Sequence, residues 1–305
     1  MIDFRYHLVS IVAIFIALAV GIVLGSGPLK DDISGFLEDR TNQLAHQKVD
    51  LQNQLADLRD VQDSSDQYAA LVQPRVVQGL LIGHSVVTIE LPGAKDDAVK
   101  AVEEAVGQAG GQVTERVQVQ DAWTDPKQTD VLGRVSEGLT RTTGQDDPYE
   151  MAGEVLATAL VTNNDRLAGE PYSPSIGVLA AYEEAGFIKA SGGEVIRGST
   201  AIVIGSDTVD ETASNTLLPL ISWLDSSGEG TVVSGPPPSA EQGGIVAAVR
   251  HSDLVKQVST DDRVDSAEGV SVTILALVDQ TQGVTGQYGT GPDSQGPAPD
   301  PIPGI

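Results

Sequence analysis

The sequence predicts an α/β protein: a mostly parallel, flavodoxin- or Rossmann-like sheet, preceded by a transmembrane helix and a long coiled-coil-like helix. Three observations carry this. An uncharged apolar run occupies Leu8–Gly25. A leucine recurs every seven residues from Leu37 to Leu58. Past Pro74, short β-branched runs alternate with amphipathic stretches, which is how a parallel sheet covered by helices on both faces reads in sequence.

The apolar run is interrupted only by Ser10 and glycines. At 1.5 Å per residue it extends about 27 Å, close to the hydrocarbon thickness of a bilayer. No other part of the chain approaches this hydrophobicity, which argues against a buried core helix. A cleaved signal peptide is the stronger rival, because Gly25, Ser26 and Gly27 are small enough for a cleavage site. Against it, the run is longer than a signal core and only Arg5, opposed by Asp3, charges its front end. The expectation is an uncleaved single-pass anchor in the cell membrane; the alternative is an outer-membrane protein after signal cleavage. Arg5 before the span, with Lys30, Asp31 and Asp32 after it, places the N-terminus in the cytoplasm and the bulk outside. Ala13, Ala17, Gly21 and Gly25 recur every four residues and put small side chains on one helix face, where two backbones can approach closely in lipid.

Residues 28–73 read as a helical stalk. Leu37, Leu44, Leu51 and Leu58 form one core column of a heptad repeat. The second column is poor: Arg40, Gln47, Gln54 and Val61 at one offset, Thr41, Lys48, Leu55 and Gln62 at the next. With Leu55 the only strong addition, a dimer formed by the stalk alone would be marginal, so the span must support it or a partner helix must complete it. Pro74 is expected to end the helix.

Residues 74–280 form the α/β domain. Ser85–Leu91 reads as a strand. Ala94–Ala109 places Ala98, Val99, Val102, Ala105, Val106 and Ala109 on one helical face. Gln112–Gln120 alternates as a strand, with Val113, Val117 and Val119 facing one way. Asp147 before Pro148, with Glu150 following, is a helix start, and Ser173-Pro174 begins another helix that Gly186 ends. Thr200–Gly205 is a continuous apolar run and reads as a strand buried on both faces. The helix after it contains Pro219, which should kink or shorten it. Thr231–Ser234 is the next strand. Ser239 with Gln242 should cap a helix, and Asp265 with Glu268 should cap Val270–Val278. Residues 281–305, rich in Gly, Pro, Gln and Asp, are expected to be a disordered tail.

The chain carries a formal charge of −25 and no cysteine. The first argues against nucleic acid and anionic lipid head groups as partners; the second excludes disulfides and thiol chemistry. In open α/β sheets ligands sit at the carboxyl ends of strands. The loop positions there are Gly93, Gly205, Ser206 and Gly235, a candidate crevice that matches neither a dinucleotide fingerprint nor a P-loop. Ser206, Asp207 and His251 are the residues a nucleophilic triad would need, but no nucleophile elbow surrounds the serine. The four histidines are scattered and the methionines are Met1 and Met151, so the ligand content does not support tight copper binding. No catalytic residue, metal site or cofactor is expected, and the capped helices argue against a transmembrane β-barrel.

The N-terminal stretch MIDFRYHLVSIVAIFIALAVGIVLGSGP, the C-terminal VDSAEGVSVTILALVDQTQGVTGQYG and the intervening VVQGLLIGHSVVTIELPGA together resemble one actinobacterial family. It is the mycobacterial copper transport protein B (MctB) family, which includes the corynebacterial envelope protein SteB. The resemblance covers nearly the whole chain. It implies one of two roles: an outer-membrane channel for copper efflux, or a partner of SteA in a membrane complex affecting cell separation and peptidoglycan hydrolase control. It supplies no catalytic residues. Asp3, Phe4, Arg5, Tyr6 and His7 match the family's N-terminal motif, a contact with an inner-membrane partner or simply residues flanking a span. The residues themselves favour assembly: a non-enzymatic homodimer joined through span and stalk, with an envelope or division protein as partner. Copper transport and a ligand-sensing domain are the alternatives.

Overall fold

A computed structural model of the chain describes residues 4–26, 28–140, 147–164, 166–191 and 194–300, with the backbone alone at 4, 26 and 28–39. It divides into two compact units, Met1–Ser65 and Asp66–Ile305. The first holds α1 (Phe4–Ser26) and most of α2 (Pro28–Val77). Pro74 does not end α2, contrary to expectation; the helix runs three residues further. A proline disturbs the turn before it rather than the one after, and Val77 at the helix end is fully buried, which ties the last turn into the second unit's core.

That second unit is a seven-stranded sheet between two helical layers. In chain order its elements are β1 (Ser85–Glu90), α3 (Asp96–Gln108), β2 (Gln112–Val119), α4 (Asp121–Thr124), α5 (Thr129–Leu139), α6 (Pro148–Leu160), α7 (Ser173–Glu184), β3 (Ile188–Ala190), β4 (Thr200–Ile204), α8 (Glu211–Ser227), β5 (Thr231–Ser234), α9 (Ile245–Arg250), β6 (Ser259–Asp261), α10 (Ala267–Thr281) and β7 (Gln287–Tyr288). The strand order is β3-β2-β1-β4-β5-β6-β7. All neighbours are parallel except β3, which closes one edge antiparallel to β2.

The central strands are buried on both faces because each face meets its own core. Val87, Ile89, Ala201, Val203 and Val233 pack toward one layer, with Leu156, Leu160, Leu220 and Leu224. Val86, Ile202, Ile204 and Val232 pack toward the other, with the apolar face of α3 and with Ile274 and Leu277 of α10. The period of two along each strand therefore serves two cores. In β2 it is broken. The register against β1 slips between Val86 and Val87, so that Val113 packs toward the α3 layer while Val117 and Val119 face the opposite one. The expectation that all three share a face fails at this bulge, which inserts one residue and inverts the phase.

Asp147 caps α6 as expected, accepting from the Tyr149 N–H at 2.8 Å. Gly186 ends α7 with φ of 81°. Pro219 does not shorten α8, which continues to Ser227. At that point α6 approaches so closely that a Cβ on Gly153 would lie 3.0 Å from the Pro219 carbonyl. Two caps move. Ser239 lies in a 3-10 turn, Pro237–Ala240, shaped by three consecutive prolines, and α9 starts only after Gly244. Ser266, not Asp265, caps α10, its Oγ accepting from the Gly269 N–H at 3.1 Å. Val270–Val278 is helical despite its β-branched residues.

The expected disordered tail is the largest correction. Residues 281–300 are described and folded against the domain; only 301–305 lie outside the described residues. β7 pairs with β6, and Gln287 and Tyr288 are buried. The anchor is a buried ion pair. Arg250 donates to Asp262 at 3.0 Å, to Thr260 Oγ1 at 2.9 Å, to the Pro292 carbonyl at 2.8 Å and to the Tyr288 carbonyl at 2.6 Å. Asp262 in turn accepts from the Thr290 and Gly291 N–H groups. Polar groups do most to order this segment, with Tyr288 and Ala298 adding apolar contacts to the α3 and α10 core.

Candidate functional site

The first candidate is the N-terminal apolar helix. Arg5–Gly25 of α1 is one helix long and apolar enough to cross a membrane, with a mean hydropathy of 2.9 and none of it buried. Ala13, Ala17, Gly21 and Gly25 lie along it at four-residue spacing, and a Cβ added at Gly21 or Gly25 would meet nothing within 4 Å. Of the N-terminal motif, Arg5, Tyr6 and His7 are exposed on the helix; Asp3 and the side chain of Phe4 lie outside the described residues.

The second is α2. Leu44, Leu51, Leu55 and Leu58 are each more than half exposed, from 52 % at Leu55 to 66 % at Leu58. The side chain of Leu37 lies outside the described residues. A leucine normally loses this exposure on folding, and burying one is worth about 1.5–3 kcal/mol. The helix thus presents apolar area along a single seven-residue repeat.

The third is the crevice at the strand ends. β1 leads by way of α3 to β2 on one side, while β4 lies on its other side; the direction of the sheet's progression reverses between them. A cavity of about 470 Å³ opens at the carboxyl ends of these two strands, lined by Leu91, Gly93, Ser206, Thr208, Asp210 and Asp121 among others. Gly93 adopts φ of 79°, and a Cβ there would sit 3.2 Å from Ser206 Cβ. Glycine therefore lets the two loops meet. Gly205 and Gly235 do not line the cavity; they lie against Ile245 and Ser239 and serve packing. Asp210 also caps α8, accepting from the Ala213 N–H at 3.1 Å. Asp121 and Thr124 enter from α4, and Asp125 from the residue just after it; this element is not legible in the sequence, because four residues are too few to show a helical period. With carboxylates on its rim the crevice suits a neutral or cationic polar ligand.

Ser206, Asp207 and His251 do not form a triad. The Ser206 Oγ accepts from the Thr208 N–H at 3.2 Å, Asp207 pairs with Lys95 at 3.5 Å, and His251 pairs with Asp293 at 2.9 Å. Among the described residues no three His, Asp or Glu side chains converge as metal ligands.

Two charged clusters flank the sheet ends. Arg116 binds Glu90 and Asp96, each at 2.7 Å. The hydrogen bonds from Lys100 and Arg116 hold the Asp96 carboxyl below the usual range. At the other side, burial pushes Asp261 up to about 7. One of its oxygens accepts from Ser234 at 3.1 Å and from the Arg263 N–H at 3.2 Å; the other has no hydrogen-bond partner.

Compared with known proteins, the chain matches over residues 1–299 the family described as "Copper transport outer membrane protein, MctB". A protein of Mycobacterium tuberculosis (strain ATCC 25618 / H37Rv) named copper transporter MctB is 33% identical over 309 residues, covering 95% of this chain and 97% of that protein. The identity and coverage are the same for the protein of that name from Mycobacterium bovis. Its namesake in Mycobacterium leprae is 33% identical over 312 residues, again covering 95% of this chain and 97% of its own. The N-terminal apolar helix and this family both point to a membrane protein.

Proposed function

The chain belongs to the MctB family, and from that premise we propose that it is a non-enzymatic, single-pass envelope protein that assembles through α1 and α2. The observation that carries this is the exposed leucine column of α2. In this reading two copies meet along Leu37, Leu44, Leu51, Leu55 and Leu58, with the small-residue face of α1 packing in the bilayer. The N-terminus is cytoplasmic, and the α/β domain is held outside to meet an envelope partner of the SteA type, in cell separation and the control of peptidoglycan hydrolases. The test exploits the absence of cysteine. In oxidised membranes Leu51→Cys should give a disulfide-linked dimer, while Asn53→Cys, two residues off the seam, should not. Equal cross-linking at both positions, or none at either, would contradict assembly through this face.

The names of the relatives favour a second reading, copper transport, with the metal as cargo. Fractionation of cells expressing the full chain separates the two. Full-length protein in the inner membrane supports the assembly reading. A shortened chain in the outer membrane, retaining copper in stoichiometric amount, supports the transport reading. The crevice between β1 and β4 supports a third, ligand sensing by the domain, which a metabolite co-purifying with the chain would favour.

A further inference from the structure

A second cavity, of about 540 Å³, lies away from the strand-end crevice, among the end of α5, α6, the start of α7 and the segment before β4. Its walls include Leu139, Glu154, Val155, Tyr172, Val178 and Arg197. Arg197 is 9 % exposed. Its guanidinium stacks 3.8 Å from the centre of the Tyr172 ring, and its buried Nε has no hydrogen-bond partner. Among the described residues, every other buried or half-buried arginine of the domain has a carboxylate: Arg116 has Glu90, Arg250 has Asp262, Arg263 has Glu268. A guanidinium carries five N–H donors, and leaving the buried Nε without an acceptor is costly.

The stacking is built in rather than incidental. The Tyr172 N–H donates to the Val195 carbonyl at 2.9 Å, and the Gly169 N–H donates to the Arg197 carbonyl at 2.8 Å. These bonds hold the two short segments antiparallel, and the aromatic face then orients the planar fork. The Thr158 and Ser175 hydroxyls on the cavity wall donate their protons to the Glu154 and Ala159 carbonyls. Among the described residues of its lining, Arg197 is thus the cationic donor of this cavity.

We propose that this cavity binds a singly charged organic carboxylate, held bidentately by Arg197, with a short apolar body against Leu139, Val155 and Val178. The volume lies within the range of small-molecule sites. A single guanidinium balances one negative charge, which makes a monoanion the better fit than a doubly charged phosphate. The chemistry is shared by free short-chain acids and by the C-terminus of a peptide, and the proposal is independent of how the chain assembles.

Isothermal titration of the full chain in lipid nanodiscs tests it with matched pairs: butyrate against butyramide, and N-acetylvaline against N-acetylvalinamide. At least one acid should bind one per chain and at least ten-fold tighter than its amide. The tighter acid identifies the source, a free acid or a peptide end. Arg197→Gln should abolish the preference, and Arg197→Lys, which loses the planar fork, should weaken it. Equal affinity for acid and amide in both pairs, or no binding by any of the four, would overturn the proposal. That comparison is made on the unaltered chain, so it stands even where a variant fails to fold.

Discussion

Along α2, Leu44, Leu51, Leu55 and Leu58 stand more than half exposed on a regular repeat. Residues 287–298 carry few apolar side chains and no such repeat, yet they are bound into the domain. The helix has hydrophobic area without a surface to cover it. The C-terminal segment has little hydrophobic area but finds Arg250 and Asp262 waiting, a charge pair that is 1 % and 0 % exposed at its side chains. One region is ordered locally by backbone hydrogen bonds and remains open to a partner. The other is ordered by contacts from 28 to 42 positions earlier in the chain and is closed to one. Apolar periodicity is therefore evidence of what a segment can bind, and low apolar content is poor evidence that it binds nothing.

Removing the clamp should break this comparison most severely. Arg250→Ala leaves Asp262 buried without its cation, and such losses cost about 3–5 kcal/mol. Both tryptophans, Trp123 and Trp223, lie in the α/β unit, so urea unfolding followed by their fluorescence reads its stability directly. The midpoint should fall sharply while the oligomeric mass in mild buffer is unchanged. Changing Leu44, Leu51 and Leu58 together to Gln should do the reverse: the fluorescence midpoint should move by no more than about 0.5 kcal/mol, as for exposed positions generally, while the dimer is lost.

A further effect separates the two regions by pH. The Asp261 carboxyl, beside the clamp, is raised by burial to about 7, against about 3.9 in an unfolded chain. The folded chain keeps a proton that the unfolded chain releases. This contribution to stability is complete below about pH 4 and is lost as pH rises toward 7. Asp261→Asn should flatten that part of the profile, so the difference in urea midpoint between the two proteins should change across this window. A constant difference would mean that the carboxyl is charged throughout. The smallest effect is local: Asp147→Ala removes the cap of α6 and should cost about 1 kcal/mol, with no change in oligomeric mass.

The contrast also explains what was legible in the sequence. The N-terminal apolar helix, the central strands β1, β4 and β5, the buried face of α3 and the Asp147 cap all follow from local pattern. Each depends on residues within a few positions of one another. The bulge in β2 does not, because a slipped register looks like unbroken alternation until its partner strand is known. Nor do α4, β3 and β6, which are three or four residues long and too short for a period to appear. Of the residues that line the crevice, Gly93 and Ser206 sit in loops after strands, which are predictable places; Asp121 and Asp125 are not legible, because they arrive from α4 and the residue after it. The Arg197 cavity is not legible, because nothing local marks Arg197 among the eleven arginines of a strongly acidic chain. Its significance appears only when folding leaves it without a carboxylate.

The central claim is that the leucine column is an interface. The most direct measurement is the mass of the full chain in lipid nanodiscs, for the unaltered protein and for the Leu44, Leu51 and Leu58 to Gln variant. The account predicts two copies of the 31.8 kDa chain per particle for the first and one for the second. A single copy in both, or two copies in both, would contradict it.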